Sequence, residues 1–78
     1  MRVKIGNHVY DTSTSKFMGD YLEKDDYGTT FYYALYRTRR NGYFEYREAY
    51  RYGTKHNAMS IVQLTTGEAE EWMKRHLD

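Results

Sequence analysis

Glu48, His56, Arg47 and Tyr46 come nearer than any other residues of this chain to a set that could do chemistry. A metal-independent ribonuclease needs a general base, a general acid and cations around the scissile phosphate, and these four supply each residue type. Small bacterial toxins with that activity have a similar size but are more basic than a chain of net charge +1. A carboxylate beside tyrosine and arginine is, moreover, commonly just a satisfied ion pair. The three histidines, His8, His56 and His76, lack the short spacings that gather metal ligands, and there is no cysteine to assist them. Gly53-Thr54-Lys55 has the form of the tail of a phosphate loop, without the upstream glycine that such a loop requires. The expectation is therefore no enzyme, no metal and no cofactor, with the ribonuclease reading third in order.

The stronger signal is a surface. Phe31 to Tyr52 holds seven of the ten tyrosines and five of the seven arginines, in two alternating runs joined by Asn41-Gly42. Read as a hairpin with a two-residue turn, Asn41-Gly42 pairs Arg40 with Tyr43 and mirrors every earlier residue accordingly. One face then carries Phe31, Tyr33 and Leu35 opposite Tyr52, Tyr50 and Glu48, and is expected to be the core, although Glu48 fits it poorly. The other pairs Tyr32 with Arg51 and Tyr36 with Arg47 around Ala34 and Ala49, so rings and guanidinium planes stack. Tyr32, Tyr36, Arg40, Tyr43, Arg47 and Arg51 are the expected partner-binding residues. Tyrosine and arginine are what protein interfaces enrich as anchors. The same residue types also suit single-stranded RNA or DNA, where bases stack on rings and arginines track phosphates. The low net charge and the acidic stretch Asp20 to Asp26 favour a protein partner over a nucleic acid. A bland alternative is that this face is covered by a second copy of the chain, as a homodimer, or by the N-terminal residues.

The elements that must position this surface are legible to different degrees. Val3 and Ile5 alternate with Arg2 and Lys4, Gly6-Asn7 suits a two-residue turn with a positive first φ, and His8-Val9-Tyr10 returns, which makes a hairpin. Asp11 to Ser15 is a polar turn, Phe17 to Leu22 reads as a strand interrupted by Gly19, and Asp25 to Gly28 as a loop. After a loop over Gly53 to Asn57, the apolar run Met59 to Leu64 has the composition of a strand in the middle of a sheet. Thr65 with Glu68 forms a capping box, and Ala69, Trp72, Met73, His76 and Leu77 share one face of the helix that follows. Glu70 with Lys74 and Glu71 with Arg75 are favourable pairs on its other side. Trp72 and Met73 should cover the Phe31, Tyr33 and Leu35 face. With 78 residues and no proline linker or repeat, the expectation is a single α+β domain over residues 1–78. It comprises one antiparallel sheet of about four or five strands, centred on the long hairpin, with a C-terminal helix on one face. The absence of cysteine, of a membrane-length apolar run and of a signal-like start points to a cytoplasmic protein.

Leu35-Tyr36-Arg37-Thr38, then Gly42-Tyr43-Phe44 with Tyr46 and Glu48, carry a resemblance across most of the chain. Tyr10-Asp11-Thr12 precedes them, and Leu64-Thr65, Glu68-Ala69 and Trp72 follow. The pattern resembles a family of small uncharacterised proteins from Firmicutes and from their phages and other mobile elements. Members of that family often have glycines after the second long strand, where this chain has Ala49-Tyr50-Arg51-Tyr52. The resemblance implies a shared fold and no known activity. Small mobile-element proteins without catalytic residues often work by occupying the surface of a host protein, as anti-CRISPR proteins do, and by that analogy the partner is a host protein or nucleoprotein complex.

Overall fold

The computed structural model describes residues 1–51 and 58–77. Two strands, β1 (Arg2–Ile5) and β2 (His8–Asp11), form a separate ribbon, and β3 (Lys16–Lys24), β4 (Thr29–Arg37), β5 (Tyr43–Arg51) and β6 (Ala58–Leu64) form an antiparallel sheet in chain order. Helix α1 (Thr66–His76) closes one side. The architecture is α+β as expected, with the N-terminal hairpin standing as its own ribbon. Its turn follows the sequence reading: Gly6 takes a φ of 61°, which glycine adopts at no steric cost, and Ile5 pairs directly with His8. The loop read over Gly53 to Asn57, and with it His56 and Tyr52, lies outside the described residues.

The central hairpin departs from its expected register, and the reason is local. Asn41, not a glycine, holds the left-handed position, with φ 63°. The Thr38 and Gly42 main chains bond to each other at 2.8 Å, and the Asn41 N–H donates to the Thr38 carbonyl at 3.2 Å. This is a three-residue loop, Arg39-Arg40-Asn41, in place of the two-residue turn. The Thr38 hydroxyl also accepts from the Gly42 N–H at 3.0 Å, and a Cβ on residue 42 would stand 3.1 Å from that oxygen. Arg37 therefore pairs with Tyr43, and Tyr32 with Glu48. The offset from the expected pairing is odd, so every residue of β5 exchanges faces relative to β4.

That exchange resolves the misfit of Glu48 and places a different acid inside. Tyr33, Leu35, Tyr43 and Glu45 now share the helix-facing side of the sheet with Tyr21, Val62 and Leu64. Leu35, Ala69 and Trp72 are buried, with Met18, Tyr21, Tyr33, Tyr43, Leu64 and Met73 packed around them. Glu45, only 4% exposed, lies under the helix. One of its carboxylate oxygens accepts the Trp72 indole N–H at 2.6 Å, and the other accepts from the half-exposed Arg47 guanidinium. A buried carboxylate is tolerated only when it is hydrogen-bonded and paired in this way.

The helix runs from β6 toward β3. Its start is fixed by the expected capping box: the Glu68 N–H donates to the Thr65 hydroxyl at 3.1 Å, and the Thr65 N–H to the Glu68 carboxylate at 2.9 Å. Its far end reaches β3, where His76 stacks on Tyr21 at 3.7 Å between ring centres and Leu77 occupies the space a Cβ on Gly19 would take. Glu71 and Arg75 pair at 3.0 Å as expected. The run Met59 to Leu64 is corrected in position: among the described residues β6 is an outer strand, bonded to β5 alone, and not an interior one. Among the described residues no helix is long and apolar enough to cross a membrane.

Replacing Glu45 by Ala strands the indole N–H in the core and removes the acceptor of Arg47, an expected loss of about 3 kcal/mol. A domain of this size has roughly 4–12 kcal/mol in hand, so urea unfolding should show a large fall in midpoint, and a midpoint unchanged from the parent would remove Glu45 from this role. Thr65→Ala should destabilise by about 1 kcal/mol through the lost cap. The Thr65 backbone N–H, and after it the Thr65 side chain, hold the Glu68 carboxyl below its usual 4.5, so that half of the capping box is complete above that pH and fades as acid protonates the side chain.

Candidate binding surface

The sheet has one closed face and one open face, decided by where the helix and the N-terminal ribbon lie. On the side away from α1, β3 presents Phe17, Asp20 and Leu22, β4 presents Tyr32, Ala34 and Tyr36, β5 presents Phe44, Tyr46, Glu48 and Tyr50, and β6 presents Met59, Ile61 and Gln63. The ribbon covers one corner. Tyr10, itself buried, meets the edge of Phe44 at 5.5 Å, and Phe44 stacks flat on Tyr36 at 5.2 Å. Beyond that corner the face stays open, with Leu22 at 58% exposure and Met59 at 54%.

Between the ribbon and the sheet runs a groove of about 450 Å³ lined by Met1, Thr12, Tyr32, Tyr36, Tyr46 and Met59. Its rings are held in place by carboxylates. The Tyr32 hydroxyl donates to Asp20 at 2.8 Å and the Tyr46 hydroxyl to Glu48 at 3.0 Å, while the two rings meet edge to face at 6.2 Å. Burial, with the neighbouring Glu48 second, pushes the Tyr46 hydroxyl up to about 12. Burial and then the bond to Asp20 raise Tyr32 as well. On the opposite face, burial and the Glu45 charge raise Tyr21 to about 12. The groove is thus an apolar trough with fixed aromatic walls.

The six expected binding residues do not form one surface. Tyr32 and Tyr36 are on the open face. Tyr43 and Arg47 are on the helix side, Tyr43 against the core and Arg47 on Glu45. Arg51 pairs with Thr29 at the far end of the same side, and Arg40 is in the hairpin loop. The stacking of Tyr32 with Arg51 and of Tyr36 with Arg47 is corrected by the register: their partners across the ladder are Glu48 and Phe44. The ribonuclease set is divided too, since Arg47 points away from Tyr46 and Glu48, and His56 lies outside the described residues. Among the described residues no three histidine or carboxylate side chains converge as metal ligands.

Charge separates along the molecule. Arg2, Arg39 and Arg40 line a cleft of about 470 Å³ with His8 and Asp11, and Lys16 and Arg37 line an adjoining one. The arginines of the long hairpin are absent from the open face, whose charged groups on the sheet are Asp20, Lys24 and Glu48. Asp20 and Met59 escape the sequence reading, and Tyr46 and Glu48 enter it as ribonuclease candidates and not as binding residues, because the place of each depends on the register or on strand order. Comparison with family models, with curated proteins and with solved structures gives no match.

A spectrophotometric titration should find Tyr21, Tyr32 and Tyr46 still protonated at pH values where unfolded tyrosine, near 10.0, has ionised. The sign is that of a raised pKa: stability from these groups is complete below about pH 10 and is lost as the native hydroxyls ionise, around pH 12 for Tyr21 and Tyr46. Asp20→Ala should advance Tyr32 in that titration, and an unchanged curve would dissociate Tyr32 from its partner.

Proposed function

We propose that this chain is a non-enzymatic binding protein that takes an apolar segment of a protein partner into the groove walled by Tyr32, Tyr36 and Tyr46. The observation that carries the reading is the trough itself: aromatic walls, fixed by Asp20 and Glu48, that no side chain of the described residues fills. Side chains already locked in position lose little freedom on association, which is what makes tyrosine effective as an anchor. The separation of rings from guanidinium groups supports a protein partner over single-stranded nucleic acid, whose binding platforms combine both. Taken with the family resemblance, the partner is a host protein or nucleoprotein complex, and the role is that of a phage or mobile-element inhibitor that occupies its surface, as anti-CRISPR proteins do.

Capture of the tagged protein from a bacterial lysate, with and without nuclease, should retain a host protein after nuclease treatment. Tyr46→Ala and Tyr32→Ala, each checked for cooperative unfolding, should weaken that capture by tenfold or more, whereas Arg40→Ala, in the exposed hairpin loop away from the groove, should leave it nearly intact. Loss of all captured protein on nuclease treatment, together with a steep salt dependence, would transfer the reading to nucleic acid and to the basic clefts.

A further inference from the structure

The two outer strands of the sheet are built differently. β3 carries Lys16, Asp20, Glu23 and Lys24, a glycine, and a register shift between Phe17 and Gly19. Charges and irregularities of this kind keep an edge from pairing with another chain. β6, Ala-Met-Ser-Ile-Val-Gln-Leu, has no charge, no glycine and no proline, and it pairs with β5 in unbroken register. Its composition is that of an interior strand, yet its outer side bonds to nothing among the described residues. The helix leaves that side open, because it starts at the end of β6 and runs away from it to β3.

We propose that β6 is the pairing strand of a homodimer, joining two sheets into one of eight strands across a two-fold axis at Ile61. Antiparallel pairing of like edges places the axis perpendicular to the sheet, so full overlap of the seven residues sets Ala58 against Leu64, Met59 against Gln63, Ser60 against Val62, and Ile61 against its own copy. Each residue meets one from the same face, and no like charges meet. The same overlap attempted at β3 would be interrupted by its bulge and its charged side chains. On the open face, the Met59 and Ile61 strips of two copies become continuous, and each copy's groove reaches the seam through Met59. A second copy suits this edge because the strand is complementary to itself in length, polarity and face. The contact is short compared with a standard interface, so the dimer forms reversibly as concentration rises.

Sedimentation velocity over a dilution series should show a mass moving from 9.4 kDa toward twice that value. Ile61→Lys sets two ammonium groups face to face at the axis and should return the protein to monomer with its circular dichroism unchanged. Because the chain has no cysteine, Ile61→Cys gives an independent reading that does not need a charged strand to fold. It should form a disulfide-linked dimer on mild oxidation far faster than Leu22→Cys, which is exposed on the other outer strand. A protein that stays monomeric at every concentration, or one whose two cysteine variants cross-link equally, would overturn the proposal. None of these measurements depends on the groove or on its partner.

Discussion

A carboxylate in the interior determines more of this structure than any apolar contact does. Glu45 is acceptable under the helix only because the Trp72 indole and the Arg47 guanidinium both donate to it. The requirement works in both directions. Strand β5 must present position 45 inward, and α1 must bring Trp72 to that spot. A register in which β5 is turned over would set Glu48 opposite Leu35 instead, flanked on its own face by Tyr46 and Tyr50, with no arginine two residues away to pair the buried carboxylate. The paired carboxylate thus favours one strand pairing and one helix placement together, where Leu35, Ala69 and Met73 alone would tolerate slippage.

Two carboxylates do a comparable thing on the opposite face, with tyrosines in place of tryptophan. Asp20 and Glu48 hold the Tyr32 and Tyr46 hydroxyls, so that the walls of the groove are as fixed as a core although they border water. The chain has few aliphatic side chains and uses tyrosine where a larger protein would use leucine. Each ring supplies apolar area, while its hydroxyl requires an acceptor. Asp20 and Glu48 meet that requirement, whereas Asp25 holds the β3–β4 turn by accepting the Tyr27 and Thr29 N–H groups, each at 2.9 Å.

The sequence made some elements plain and concealed others for physical reasons. The helix could be read because a capping box and a 3.6-residue apolar spacing are local signals, as is Gly6-Asn7 in the first hairpin. The long hairpin could not, because asparagine accepts a left-handed conformation in either of two loops that differ by an odd offset. The choice lies with Thr38 Oγ1 and with Glu45, and the arginine two residues from Glu45, which Glu48 lacks, is the signal in the sequence that favours the observed pairing. Tyr32 and Tyr36 were placed on the right face, whereas Tyr43, Arg47 and Arg51 exchanged sides with the register. β6 was read as an interior strand because its residues ask for two neighbours, and the sequence does not say whether the second belongs to the same chain.

The sheet is a simple meander, β3-β4-β5-β6, in which every strand pairs with its neighbour in sequence. Such an arrangement has little loop entropy to overcome and can zip outward from the central hairpin within a short time. The contacts of the helix are of another kind: the bond between Trp72 and Glu45 spans 27 residues, and His76 reaches back farther still to Tyr21. While synthesis has reached only β6, the sheet is complete in hydrogen bonds but holds an acid on the face that is to become its interior, paired with Arg47 on one oxygen and without the indole donor on the other. The nascent sheet consequently stays wet on that side, and the arrival of a single tryptophan turns a solvated ladder into a cooperative fold.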